Sequence, residues 1–584
     1  MTKVSVQRFK NSMLSTRNFK WHALSMIFPL LIVTTLFSAS ANAFGPDWTE
    51  NARLPESGSR KNIYELKGDE FKKVNRAGKI HASSYPVTVT GALLPYEATR
   101  RVVEADTKNP IRRWIYNIGR KSLGFKSMDD MYKWVGLNDF NEEDATGIFK
   151  IPYPNDEKPD YPMGATFMKR FGETGLTFSC TTCHSTRLFG KTVFGLNNKR
   201  PRANEFFLMG QKHVPKLLPG FFKVGAKATK GETQMYREAR KNIMAIGAVA
   251  PQVLGLDSSL AQVALSLAKR NQDPYATYNK KLQKNPRPNA LEHFVADSKP
   301  GVWWNLKYKT RWLRDGSIVS GNPIYTNFLW NEIGRGTDLK KLEKWMKEND
   351  QVVKELTAAV FATEAPKWTD FFPAESIDLP SAKRGQKHFK KSCAKCHGAY
   401  DKTWDLPGSE ELTLEEQLTT AKVVYPKKTR VKDVGTDPNR WMGMQHFSED
   451  LNRLAISKWM KTKVVPQKGY VPPPLVGVFA RYPYFHNNSA PSLCDVLSKP
   501  KDRTVIFYQG PAEDPETDYD SECVGYPTGR DIPKKWYEEK EAKFDTRKPG
   551  LSNSGHYKMF INEDGSEKYS PAEKKELIMF LKTL

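Results

Sequence analysis

The chain has 584 residues and a formal net charge of +26, from 91 Lys and Arg against 65 Asp and Glu. Its length excludes a single hydrophobic core and implies two domains with insertions. Its charge favours anionic partners, such as phospholipid headgroups, acidic proteins or carboxylate substrates. A merely solvated basic surface is the plain alternative.

Residues 1–43 read as a signal peptide. Lys3, Arg8, Lys10, Arg17 and Lys20 give a basic start, and residues 23–37 follow as an apolar stretch. Ser40-Ala41-Asn42-Ala43 offers small residues for cleavage. The apolar stretch is short for a membrane span, and an uncleaved anchor is the other reading. The segment holds five basic and no acidic residues, so removing it takes five from +26 and leaves +21. Export puts the mature protein in the periplasm or outside the cell and argues against a nucleic-acid partner.

Residues 44–150 carry scattered Pro, Gly and charge with no long periodic segment. They read as an irregular wrapping region with one helix-like piece at Met128–Val135.

The first chemical signal is Cys180-Thr181-Thr182-Cys183-His184, repeated as Cys393-Ala394-Lys395-Cys396-His397. Two thiols at this spacing reach the two vinyl groups of one porphyrin, and the next residue ligates the iron. Zinc or a redox dithiol is the alternative, but zinc needs four ligands and gives no reason for a His after each pair. The expectation is two covalently attached c-type haems, held by Cys180, Cys183, Cys393 and Cys396, with His184 and His397 on the two irons. Arg187, Lys191, Arg200 and Arg202 follow the first motif and are candidates for its propionates, with ordinary surface charge as the alternative.

Residues 230–270 read helical, with Leu260, Val263, Ala264 and Leu267 on one face. So do residues 338–361, through Leu339, Leu342, Trp345 and Met346. Between them lies an aromatic, basic stretch containing Trp303 and Trp304. Adjacent tryptophans between two haems would carry electrons or holes; plain packing is the alternative. Residues 373–380 turn loop-like and mark a boundary. A helix then starts with Ser381 as cap and leads to Cys393. The chain ends in a helix opened by Ser570, Pro571 and Glu573, with Leu577, Ile578, Leu581 and Leu584 on one face. Just before it stands Gly555-His556, where small cytochromes c place a distal ligand. Cys494 and Cys523 remain. An oxidising compartment favours a disulfide, worth about 3 kcal/mol for a loop of roughly 30 residues, over two unrelated buried thiols.

Both haem motifs, the run Pro473 to Leu493 with its Tyr-Phe-His486-Asn element, and the Leu-Lys-Thr-Leu ending resemble the bacterial di-haem cytochrome c peroxidase superfamily. The Trp303-Trp304 stretch, the length and Gly555-His556 resemble its large branch, which includes the di-haem rubber oxygenase and the di-haem fatty-acid dioxygenases and diol synthases. Asn488 departs from the pattern, where the family usually has Gly. The resemblance implies a mainly α fold: two cytochrome c-like haem domains with large loop-rich insertions, at 44–375 and 376–584.

The second haem has two candidate sixth ligands. His556 is favoured by its place before the last helix, and His486 is the alternative; Met442 and Met444 are outsiders. His81, His213, His293, His388 and His446 read as surface or satisfied core histidines. No His lies between His184 and His213, where peroxidases of the family bring one to the first haem. That leaves the first iron an open position for a small molecule such as dioxygen.

The resemblance and this gap imply a dioxygenase using His184, Trp303 and Trp304 on an unsaturated fatty acid or polyisoprene. A hydrogen peroxide-reducing peroxidase, fed by a small electron-donor cytochrome, is the alternative. An electron-transfer cytochrome is the third reading. An anionic membrane surface is a further candidate partner.

Overall fold

The computed structural model describes residues 46–84 and 89–584. Segment 1–43, read as a signal peptide, lies outside the described residues. The described chain is mostly helix and loop, with short strands in one three-stranded and four two-stranded sheets. Among the described residues no helix is long and apolar enough to cross a membrane.

The region 44–150 differs from its reading. It contains the helices Gly68–Ser84 and Pro110–Leu123 besides Met128–Val135. Packing explains why the first was hidden. Its buried face is Val74, Gly78, Ala82 and Ser83. A Cβ on Gly78 would stand 2.0 Å from the Glu355 carbonyl oxygen of the helix Asp350–Ala362. Two backbones that touch need small residues, and small residues leave no hydrophobic periodicity to read. The helix Pro110–Leu123 was hidden by its Pro, Gly and charge. Pro110 sits in its first turn, and the Asn109 side chain accepts from Arg112 N.

Residues 230–270 split into the helices Lys230–Ile243 and Ser259–Ala268, separated by an irregular loop. Leu260, Val263, Ala264 and Leu267 are buried as read. Residues 338–361 also split, into Leu339–Glu348 and Asp350–Ala362, where Asn349 leaves helical geometry at φ −125° and ψ 33°. The helix before the second motif is Leu379–Ser392. Its cap is Asp378, not Ser381: the Asp378 carboxylate accepts from Ser381 N at 3.2 Å. Pro380 fits the first turn, where no intrahelical N–H is required.

The last helix, Pro571–Lys582, opens on the expected capping box between Ser570 and Glu573. It crosses Leu379–Ser392 at Gly385, where a Cβ would lie 1.9 Å from the Glu576 carbonyl oxygen. Phe389 and Phe580 meet beside the crossing at 5.2 Å. This contact fixes the approach to the second motif. Cys494 and Cys523 form a disulfide, with Cα atoms 5.1 Å apart.

Two large hydrophobic cores fill the unit Pro46–Leu584. One gathers Trp304, Phe389, Phe479 and Phe580, and the other Trp303, Phe328, Trp330 and Phe447. Each draws residues from both sides of position 375.

Candidate haem sites

The two Cys-x-x-Cys-His motifs are presented by different local structures. The first lies between two hairpins: Ala165–Arg170 with Glu173–Phe178, and Ser185–Leu188 with Lys191–Phe194. Cys180–Thr182 form a tight 3-10 turn between them. Asn198 braces that turn, its side-chain amide donating to Thr182 O at 2.8 Å and its N–H to Cys183 O at 2.9 Å. The second motif continues from the helix Leu379–Ser392 into the short turn Ala394–His397. Gly398 ends it at φ +81°, with a would-be Cβ 2.5 Å from Val424 O.

Each motif lines a cavity. The first cavity, of about 290 Å³, takes in Cys180, Cys183, His184, Trp303, Trp312 and Phe328. The second, of about 200 Å³, takes in Cys393, Cys396, His397, Tyr470, His486 and His556. None of the four motif cysteines is taken up in a disulfide. The His184 ring is enclosed by protein yet keeps accessible area, because that area faces the cavity.

Both motif histidines are held the same way. His184 Nδ1 lies 2.9 Å from Gly301 O, and His397 Nδ1 lies 2.8 Å from Pro473 O. A carbonyl only accepts, so each Nδ1 carries the proton and each Nε2 keeps a free lone pair. That is the tautomer a metal-binding imidazole needs. Burial pushes His184 down to about 4, so it stays neutral at physiological pH.

The cavities differ in their histidines. His184 is the one histidine in the described lining of the first. Most of the remaining lining is apolar or amide-bearing, including Ile324, Leu356, Val360, Asn327 and Asn331. In the second, His556 faces His397 with ring centres 6.1 Å apart. Two imidazoles sharing one metal at about 2.0–2.1 Å each place their ring centres roughly 6 Å apart. Burial, then the neighbouring His397 and Arg503, push His556 down to about 3. His486 lines the same cavity but stacks on Tyr470, with ring centres 3.9 Å apart. Met442 and Met444 line neither cavity, and Met444 is fully buried in a core. His81, His213, His293, His388 and His446 also line neither cavity.

Trp303 lines the first cavity with its ring centre 5.0 Å from that of His184. Trp304 lines neither cavity. It is fully buried and donates its indole N–H to Val476 O at 2.9 Å.

The basic residues behind the first motif are not at the cavities. Arg187 pairs with Glu513, Arg200 and Arg202 with Glu539, and Lys191 donates to Asp370 O. Instead Lys299, Lys309 and Arg314 line both cavities, Arg440 lines the first and Arg481 the second. Four of these five make hydrogen bonds that avoid carboxylates. Lys299 donates to Arg481 O at 3.0 Å, Arg314 to Pro300 O at 2.5 Å, Arg481 to Pro474 O at 2.7 Å and Arg440 to Met444 Sδ at 3.4 Å. The Nε atoms of Arg314 and Arg440 are buried without a partner. Burial, then Arg314 and Arg481, lower Lys309 to about 7; burial and Arg481 lower Arg314 to about 9.

Buried cations are costly even where a buried carboxylate offsets part of the charge, as Asp257 does for Arg314 and Arg440. Haem carries two propionates, and the second cavity also offers paired thiols and facing imidazoles. Among the described residues no group of three or more His, Cys, Asp and Glu gathers to hold a bare metal ion. The residues present therefore fit c-type haem better than zinc. Little in the sequence sets these five cations apart from its 91 Lys and Arg. The one signal was that Lys299, Lys309 and Arg314 bracket the two tryptophans.

A family profile described as "RoxA-like, cytochrome c-like" matches residues 469–508. This segment supplies Tyr470, Pro473, Arg481, His486 and Val496 to the wall of the second cavity. The match supports a cytochrome c-like domain of this kind with a c-type haem, and a haem-containing oxidoreductase. Among curated proteins, protein y4iJ of Sinorhizobium fredii is 29% identical over 268 residues, covering 38% of this chain and 41% of that protein. Protein y4iM of the same organism is 26% identical over 242 residues, covering 35% of this chain and 49% of its own length. Both are described as uncharacterized, and each match spans less than half of the relative.

Proposed function

We propose that the protein is an exported di-haem c-type oxidoreductase. In this reading it is a dioxygenase acting at the first site on a carbon–carbon double bond of an unsaturated fatty acid or polyisoprene. The observation that carries the reading is the histidine asymmetry. Among the described residues His184 is the one histidine lining the first cavity, while His397 and His556 face each other at 6.1 Å in the second.

A c-type haem seated on His184 supplies the dioxygen chemistry, and distal polarity and access decide its outcome. The chain's own contribution is structural. Gly301 O fixes the tautomer and angle of the His184 ring. Ile324, Phe328, Leu356 and Val360 give the cavity walls that accept a hydrocarbon and exclude water. Asn327 and Asn331 add amide donors to the same lining. His397 and His556 hold the second haem, and Trp303 and Trp304 couple the two sites. The division into haem domains at 44–375 and 376–584, and a periplasmic or secreted location, belong to the same reading. The net positive charge leans toward a carboxylate-bearing fatty acid over neutral polyisoprene.

The test is incubation of the haem-loaded protein with oleate, and separately with polyisoprene latex, under isotopically labelled dioxygen without peroxide or reductant. Label in a hydroperoxide, diol or carbonyl product is the expected result, and it tells the substrates apart. No label from either substrate, with fast peroxide turnover once a reduced small cytochrome is supplied, makes the protein a peroxidase. Electron exchange with neither activity makes it an electron-transfer cytochrome.

A further inference from the structure

The helix Pro110–Leu123 is amphipathic in the reverse sense. Ile111, Trp114, Ile115 and Ile118 have the spacing that normally faces a core. Here they face solvent, with Ile111 69% and Trp114 65% exposed. Beside them the short helix Pro219–Gly225 turns out Phe221 and Val224, 70% and 69% exposed, after the exposed Leu217 and Leu218. Arg112 ties the two helices together by donating to Val224 O at 2.7 Å and Gly225 O at 3.2 Å. Single exposed apolar side chains are ordinary; six on two linked helices, with Leu217 and Leu218 just before the second, form a patch that calls for a partner.

Charge decides which partner. Residues 107–126 contain Lys108, Arg112, Arg113, Arg120, Lys121 and Lys126. Residues 212–230 contain Lys212, Lys216, Lys223, Lys227 and Lys230. Neither segment contains an Asp or Glu. A second copy of the same patch would bring these like charges face to face. A neutral hydrocarbon gains nothing from them. An anionic bilayer uses both features, since the apolar side chains enter the headgroup boundary while the cations meet the phosphates.

We propose that this patch docks the protein onto an anionic phospholipid membrane, lying in the interface without spanning it. The helix Ala203–His213 lines the first cavity with Ala203, Asn204 and Phe207, then leads through residues 214–218 into the patch. Docking therefore brings the wall of that cavity toward the lipid as a source of apolar substrate. This consequence rests on the oxygenase reading; the docking does not.

The test is sedimentation of the full haem-loaded mature protein with vesicles of phosphatidylcholine alone, or mixed with phosphatidylglycerol. The protein is expected to pellet with the mixed vesicles at low salt and to stay in solution with phosphatidylcholine. The double variant Trp114→Ser, Phe221→Ser should bind at least about tenfold more weakly. The triple variant Lys121→Gln, Lys216→Gln, Lys223→Gln should bind more weakly at low salt and show a shallower salt dependence. All five positions are exposed, and unchanged haem absorption and circular dichroism check folding. Wild type remaining in solution with the mixed vesicles overturns the proposal, as do variants that bind like wild type. So does a dimer that Trp114→Ser, Phe221→Ser dissociates while no form binds lipid. Lipid binding without oxygenated product from oleate upholds the docking and removes only the oxygenase reading.

Discussion

Trp303 and Trp304 are neighbours in the chain but belong to different cores. Trp303 lines the first cavity beside His184, and Trp304 donates its indole N–H to Val476 O at 2.9 Å. Gly301, two residues before Trp303, accepts from His184 Nδ1. Pro473, three residues before Val476, accepts from His397 Nδ1. Two short runs of main chain and three hydrogen bonds therefore join the two motif histidines, and Trp304 is the link between the runs.

Trp304 is fully buried, so its removal should be expensive. Trp304→Phe keeps the aromatic packing but leaves Val476 O without its donor, which should cost about 1–3 kcal/mol. Trp304→Ala also opens a cavity and should cost about 3–5 kcal/mol. Denaturant unfolding of the haem-loaded protein measures both. A cost under about 1 kcal/mol for Trp304→Ala contradicts this role for the residue.

The second site was more legible than the first, for a physical reason. Its parts are local or carry strong signals: a capped helix before Cys393, a capping box at Ser570, and His556 in the loop between. Helix propensity and capping act over a few residues, so the sequence displays them. The first motif is framed by hairpins whose turns, Phe171-Gly172 and Phe189-Gly190, all have positive φ. Only the glycine of each pair announces that. The helix Gly68–Ser84 was invisible because it meets its partner at Gly78. The cations Lys299, Lys309, Arg314, Arg440 and Arg481 converge only in three dimensions. A basic residue near a haem motif in sequence, such as Arg200, proved to pair with Glu539 instead.

Acid should weaken the crossing of the first and last helices of the second site. Glu576 accepts from Arg384 Nε at 2.5 Å and meets His388 Nε2 at 3.1 Å. The Arg384 hydrogen bond, aided by His388, holds the Glu576 carboxyl below its ordinary value of 4.5. A carboxylate lowered in the folded state stabilises it fully above the unfolded pKa. That contribution is lost as pH falls below 4.5 and through the depressed folded value. Glu576→Gln should therefore lower Tm at neutral pH and make the decline in Tm below that pH shallower. Parallel Tm profiles for wild type and variant would assign the acid sensitivity elsewhere.

The account stands on one contrast among the described residues: a single histidine in the first cavity and a facing pair in the second. Low-temperature electron paramagnetic resonance of the ferric, haem-loaded protein measures that contrast directly. The predicted spectrum contains one high-spin and one low-spin iron per chain. In the same measurement, His556→Ala should turn the low-spin signal high-spin, while His486→Ala should leave the spin state unchanged. Two low-spin irons in the wild type, or conversion by His486→Ala but not by His556→Ala, would contradict the account.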